Sequence, residues 1–144
     1  VHIVAIHLAP GRKVPTRSVT CVEAEAGRGL VGDRYHGTKH RHVSIQSQEM
    51  LEHAAAELGL AVDPGATRRN VTVDGGVIPT RPGSRLRIGE VELEVVRVAA
   101  PCRLLDDWIA PGAARAMSRR GGSICRVLTS GPIRVGDHVE VPQG

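Results

Sequence analysis

Apolar positions along this chain recur with two periods, and the period of two is the commoner. It is clearest over residues 85–95, where Leu86 and Ile88 alternate with Arg85 and Arg87, Gly89-Glu90 turns the chain, and Val91, Leu93 and Val95 alternate with Glu92 and Glu94. That pattern predicts a β-hairpin with one apolar face, whose other face sets arginines against glutamates. β-Branched runs over residues 1–8, closed by Ala9-Pro10-Gly11, and over 19–25, before Gly27 and Gly29, predict two earlier strands. Further strands are predicted at 70–73, closed by Asp74-Gly75-Gly76, and near 124–128 and 138–141, while the second hairpin strand runs on to Val98.

The helical period shows once at useful length. Over Gln48–Leu58, Met50, Leu51, Ala54, Ala55 and Leu58 form one apolar stripe, with Ser47 placed to cap the helix and Gly59 to end it. Residues 104–109 and 113–119, either side of Pro111-Gly112, read as short helical pieces that need tertiary packing to persist. Glycine and proline punctuate the whole chain, and no internal repeat or low-complexity tract interrupts it. The predicted class is mainly β: a small barrel of mostly antiparallel strands with one good helix and short peripheral helices. At 144 residues the chain has room for one core, so residues 1–144 are read as one domain.

Composition narrows what such a barrel can bind. Phe is absent, and Tyr35 and Trp108 are the only aromatics, so the core must be built from Val, Ile, Leu and Ala. Single-stranded nucleic acid needs aromatic platforms on which to stack, and no nucleic-acid partner is expected. The net charge is +4 and the basic residues are nearly all arginine, a planar donor suited to phosphate or carboxylate. Cys21, Cys102 and Cys125 are odd in number and widely spaced, which suggests neither a disulfide framework nor a cysteine-rich zinc site. With no signal-peptide pattern and no membrane-spanning run, the expected location is cytoplasmic, without a membrane partner. Asn70-Val71-Thr72 matches a glycosylation acceptor only by coincidence on that reading.

Three clusters could carry chemistry. The first, Gly32-Asp33-Arg34-Tyr35-His36-Gly37-Thr38-Lys39-His40-Arg41-His42, is a donor-rich loop able to cradle an anion or position a general acid, the alternative being an ordinary solvated loop. Its histidines do not follow a recognised zinc spacing. The second, Arg68-Arg69-Asn70, supplies two forked cations and an amide where a loop enters a strand, which suits a phosphorylated heterocycle; the alternative is surface charge beside a turn asparagine. The third is Pro101-Cys102-Arg103, just past a strand end. A cysteine beside an arginine there should have thiolate character, able to ligate a soft metal or attack an electrophile, although most cysteines are small buried hydrophobes. Cys21 and Cys125, inside strand patterns, read as that inert kind. No glycine-rich phosphate loop follows a strand, which argues against a dinucleotide or P-loop function.

Taken in order, Gly32-Asp33-Arg34, the strand onset at Arg41 to Ser44, Glu49 on the helix, Arg68-Arg69-Asn70, Leu86-Arg87-Ile88-Gly89, Cys102 and Ile133-Arg134-Val135-Gly136-Asp137 resemble the MOSC domain family. The set is similar to the C-terminal domain of molybdenum cofactor sulfurases, to the amidoxime-reducing component, and to small stand-alone bacterial proteins. The resemblance implies a β-barrel with peripheral helices and a cysteine, here Cys102, that ligates the molybdenum of the molybdenum cofactor or carries sulfur. It implies cofactor-binding roles for Arg68, Arg69 and Asn70, with Asp33 and Arg103 beside them, and catalytic roles for Cys102, His36 and Arg41. The reductases of the family hold their cofactor with an additional N-terminal β-domain, and a chain doing without it is expected here. The function implied is reduction of N-hydroxylated or related oxygenated small molecules, fed by an external electron donor because the chain has no haem, flavin or iron–sulfur motif. One alternative is a sulfur carrier that accepts a persulfide on Cys102 from a cysteine desulfurase. Another is a non-enzymatic binder of a phosphorylated small molecule.

Overall fold

The computed structural model describes residues 1–100, 104–117 and 122–141, and only the backbone of Leu104 and Trp108. Strands β1 (Ile3–Leu8), β2 (Arg17–Val19), β3 (Cys21–Glu25), β4 (Gly29–Leu30) and β5 (Val43–Ser47) lead into helix α1 (Gln48–Leu58) and a 3-10 turn (Pro64–Thr67). Then come β6 (Val71–Val73), β7 (Arg85–Ile88), β8 (Val91–Val98), α2 (Leu104–Trp108), α3 (Ala113–Ala116), β9 (Ser123–Val127), β10 (Gly131–Arg134) and β11 (Val139–Glu140).

The main sheet has eight strands in the order β11-β7-β8-β9-β5-β6-β1-β2. It curls until its ends meet. His2 and His138 form a bridge, Ile3 N–H donates to Asp137 O at 2.9 Å, and Gly136 N–H donates to Ile3 O at 2.8 Å. The ring therefore runs through β1 and back to β11, with β2 attached outside as an extra edge. All pairs in this sheet are antiparallel except β5 with β6, which is parallel. A smaller sheet, β10-β3-β4, packs across one end.

The barrel interior is aliphatic, as the composition requires. Ile6, Leu30, Val43, Ile45, Leu86, Leu93 and Ile133 are all fully buried in one continuous cluster. Each such side chain stabilises the fold by about 1.5–3 kcal/mol relative to exposure. A second, smaller cluster joins α1 to α2 and α3 through Leu51, Ala54, Leu105, Ala113, Ala116 and Met117. Neither α2 nor α3 has the length to stand alone. Asp106 on α2 compensates by accepting N–H bonds from Gly112 and Ala114 at the start of α3, which holds its carboxyl below the usual carboxylate range.

The hairpin forms as its alternation predicts, with Leu86 opposite Leu93 and Ile88 opposite Val91 on the buried face. On the polar face Arg85 reaches both Glu92 and Glu94, and Glu94 also pairs with Arg126. Residues 19–25 do not make one strand: the chain breaks at Thr20 into β2 and β3. Within β3, Val22 and Ala24 point inward while Cys21 and Glu23 are exposed, so Cys21 is not a core cysteine. Cys125 is, and burial pushes its thiol up to about 12. Gly59 ends α1 in the left-handed region as expected. Ser47 stands at the N-cap position, but its side chain makes no capping bond and its Oγ is buried without a partner.

Candidate functional site

Asn70 organises the region where the sequence places its donors. Its Oδ1 accepts from the backbone N–H (2.9 Å) and hydroxyl (3.1 Å) of Ser44, and its Nδ2 donates to His7 O (3.0 Å) and to Asp33 Oδ1 (3.1 Å). Those bonds use the full hydrogen-bonding capacity of a side-chain amide. Asp33, 6% exposed, also accepts from Ala9 N–H at 2.9 Å and Tyr35 N–H at 3.2 Å. One buried carboxamide and one buried carboxylate thus bind β1, β5, β6 and the 32–42 loop together. Each group would be expensive to bury alone, and each is stable here because it is fully partnered. The glycosylation pattern at Asn70 is moot in this fold, since both of its amide protons are taken.

Around this knot lies a narrow crevice lined by Ala9, Asp33, Tyr35, Arg41, Ser44, Arg68 and Asn70. Its free volume is about 10 Å³, room for about one water. Arg41 sits with its guanidinium carbon 4.1 Å from the centre of the Tyr35 ring, and Arg34 lies 4.7 Å from the same ring. Tyr35 therefore seats two cations through its π face. Arg68 closes the 3-10 turn in the left-handed conformation, φ 63° and ψ 18°, a placement that costs a non-glycine residue roughly 1 kcal/mol. Its guanidinium donates to Val14 O at 2.5 Å and Gly11 O at 3.1 Å in the loop 9–16. Arg69, 4% exposed, reaches the other way and donates to Ala100 O at 2.7 Å.

The candidate residues thus divide. Asp33, Arg41, Arg68 and Asn70, from two separate sequence clusters, come together on one crevice. Arg69 is adjacent in sequence but is directed to the end of the segment that follows β8. His36 does not line the crevice; its Nε2 lies 2.5 Å from Glu25 Oε1 on β3. Cys102 and Arg103 lie outside the described residues. Ala100, which Arg69 holds, precedes Cys102 by two positions in the chain.

His42 has a different task from the other histidines of its loop. Its Nδ1 accepts from Val127 N–H at 3.0 Å, so the proton sits on Nε2, which donates to Thr38 O at 2.7 Å. The buried ring pins the 32–42 loop to the end of β9. Burial holds it neutral by lowering its pKa from 6.5, with Arg126, His40 and His36 adding to the effect and the bond to Thr38 opposing it. Among the described residues no group of three or more His, Cys, Asp or Glu side chains could hold a metal ion. A groove of about 620 Å³ lies elsewhere, between the β7–β8 turn and β10–β11. It is open, it mixes both signs of charge, and none of the candidate residues line it.

Sequence reasoning missed the roles of Ser44, Ala9 and the loop 9–16. Only Tyr35 carried a signal, as one of two aromatics in the chain and the one set among arginines and histidines.

Among solved structures the chain is similar to the YuaD protein from Bacillus subtilis, with a TM-score of 0.86 at 21% identity, covering 99% of this chain and 96% of that one. It is also similar to YiiM from Geobacillus stearothermophilus, with a TM-score of 0.76 at 18% identity over 99% and 75% of the two chains. For YiiM from Escherichia coli the TM-score is 0.72 at 20% identity over 100% and 71%. At such identities these likenesses speak to fold. No curated protein sequence matches the chain. No helix among the described residues is long and apolar enough to cross a membrane. The MOSC domain model matches residues 32–140, from the donor-rich loop to the closing strand, and the chain belongs to the MOSC domain family.

Proposed function

We propose that the crevice between Asp33 and Asn70 binds the anionic end of the molybdenum cofactor, and that the protein reduces N-hydroxylated or related oxygenated small molecules. One observation carries this reading: Arg41 and Arg68, from separate sequence clusters, converge on a single crevice, Arg41 over the Tyr35 ring and Arg68 against neutral backbone carbonyls. Guanidinium groups so placed suit a phosphate, to which each offers charge-assisted, two-pronged bonding. The donor set therefore fits the cofactor's phosphate.

In this reading Arg41, seated on the Tyr35 ring, and Arg68 pair with the phosphate. Asp33 and Asn70 hold the walls at fixed spacing. Arg69 is a positioning residue for the chain ahead of Cys102, the residue expected by family resemblance to ligate the metal. When bound, the cofactor supplies two-electron chemistry, with electrons arriving from an external donor. His36, turned towards Glu25, takes no step at the crevice in this scheme.

The test is purification from a host that makes the cofactor, followed by assay of molybdenum and extractable pterin in wild type and Cys102→Ala. Both should copurify with wild type, and molybdenum should fall by at least about tenfold in the variant, as expected for loss of a metal ligand. Well-folded wild type carrying neither would sink the proposal.

A further inference from the structure

The crevice has room for about one water, whereas sites for small ligands usually measure roughly 300–1,000 Å³. Something must move before an anion of any size can enter. We infer that the loop 9–16, which borders the crevice at Ala9, is a strap latched by Arg68, and that an anionic ligand in the crevice frees it by drawing that guanidinium off the strap. The inference rests on the reading of the crevice as an anion site and adds what occupancy does to the neighbouring loop.

The strap is anchored at both ends and latched in the middle. Ala9 is tied to Asp33 through its N–H and to Arg34 through its carbonyl, and Thr16 donates to Gly65 O at 2.8 Å. Between them, the Arg68 bonds to Gly11 O and Val14 O hold the middle down. Pro10 and Pro15 flank that middle and have no N–H to add to a ladder. Strain is confined to the same place: the non-glycine residues with positive φ among the described residues are Lys13 (59°), in the strap, and Arg68 (63°), at the latch. Such conformations persist only where surrounding contacts enforce them, and they mark switch regions more often than scaffolds.

Chemistry supplies the trigger. The strap carbonyls are neutral acceptors, and an oxyanion is a stronger partner for a guanidinium. Arg12 and Lys13, both exposed, make the strap itself basic. A neutral ligand competes for Arg68 only on equal terms with the strap carbonyls, so release of the strap answers to anions.

Backbone 15N relaxation by NMR on the full chain, with inorganic phosphate as the probe and chloride at matched ionic strength as the control, tests this. In Arg68→Ala the order parameters of residues 11–14 should fall to below about 0.6, with Arg68→Lys intermediate and those of β5 unchanged in both. Phosphate should lower the same strap order parameters in wild type and do nothing further in Arg68→Ala. If phosphate shifts the Tyr35 and Ser44 amide resonances but leaves strap order unchanged, the latch is refuted and the anion site stands. If phosphate moves neither, the latch and the anion site fail together. Strap order that is the same in wild type and both variants also overturns the latch.

Discussion

His42 shows how much of this site depends on a group that never faces a ligand. Its neutral ring ties the donor loop to β9, and the bond from Val127 N–H exists only while Nδ1 is unprotonated. As pH falls below about 6.5, the unfolded chain takes up a proton at this histidine before the folded one does. The unfolded state then binds more protons, so stability declines with falling pH and levels off once the folded ring is also charged. His7, likewise depressed by burial with Asp63 partly opposing, acts in the same direction. Urea midpoints taken between about pH 5 and 8 should therefore fall on the acid side. The slope should be shallower in His42→Gln, and a wild-type profile flat across that window would contradict the assignment. His42 was not legible as a pin because three histidines crowd its loop and nothing local separates them. What singles it out is a backbone N–H on a strand more than half the chain away. The arginines were easier to read, since their type alone announces an anion, but their division was not. Arg68 and Arg69 are adjacent and chemically identical, and only the left-handed turn at Arg68 sends one to the strap and the other to Ala100.

Among the elements, β5 was the hardest to read and is the most constrained. All five of its residues are buried, so both faces are covered and the polar positions of Val-Ser-Ile-Gln-Ser, which would ordinarily mark a wet face, lie inside. Distant partners meet most of its buried polar groups: Ser44 meets Asn70, and Gln46 donates to Thr67 at 2.8 Å and Thr72 at 3.0 Å, whereas Gln46 Oε1 and Ser47 Oγ are buried without a partner. The β7–β8 hairpin was plain for the opposite reason, one face wet and one dry. Close approach to β5 also fixes Gly122. A Cβ there would lie 1.7 Å from Ile45 O, and φ is +81°. Gly122→Ala should cost about 3 kcal/mol or more, read as a shift in denaturant midpoint. Gly27→Ala is the comparison, since it shares the positive φ but would place its Cβ in open space, and should cost about 1 kcal/mol. Equal losses in the two would mean that backbone strain, not the contact with β5, sets the requirement for glycine at 122.

For the whole molecule, the barrel and its single good helix followed from the pattern of residues, whereas ring closure did not. Residues 138–141 read as one more short strand, and nothing local indicates that His138 bridges His2. That bridge, with the bonds from Ile3 to Asp137 and Gly136, joins opposite ends of the ring. A chain ending at Arg134 lacks the closing strand and should lose its sharp cooperative unfolding transition, monitored by circular dichroism. A transition as steep as that of the full chain would show the seam to be dispensable. The seam also sets a timetable. Synthesis proceeds from the N-terminus at roughly 5–20 residues per second, so the first strand waits for the last before the barrel can be sealed. Contacts of such long sequence separation place the protein among slow folders. While it is still attached to the ribosome, its valine-rich sheet is an open trough, and protection of that nascent surface is a requirement written into the topology itself.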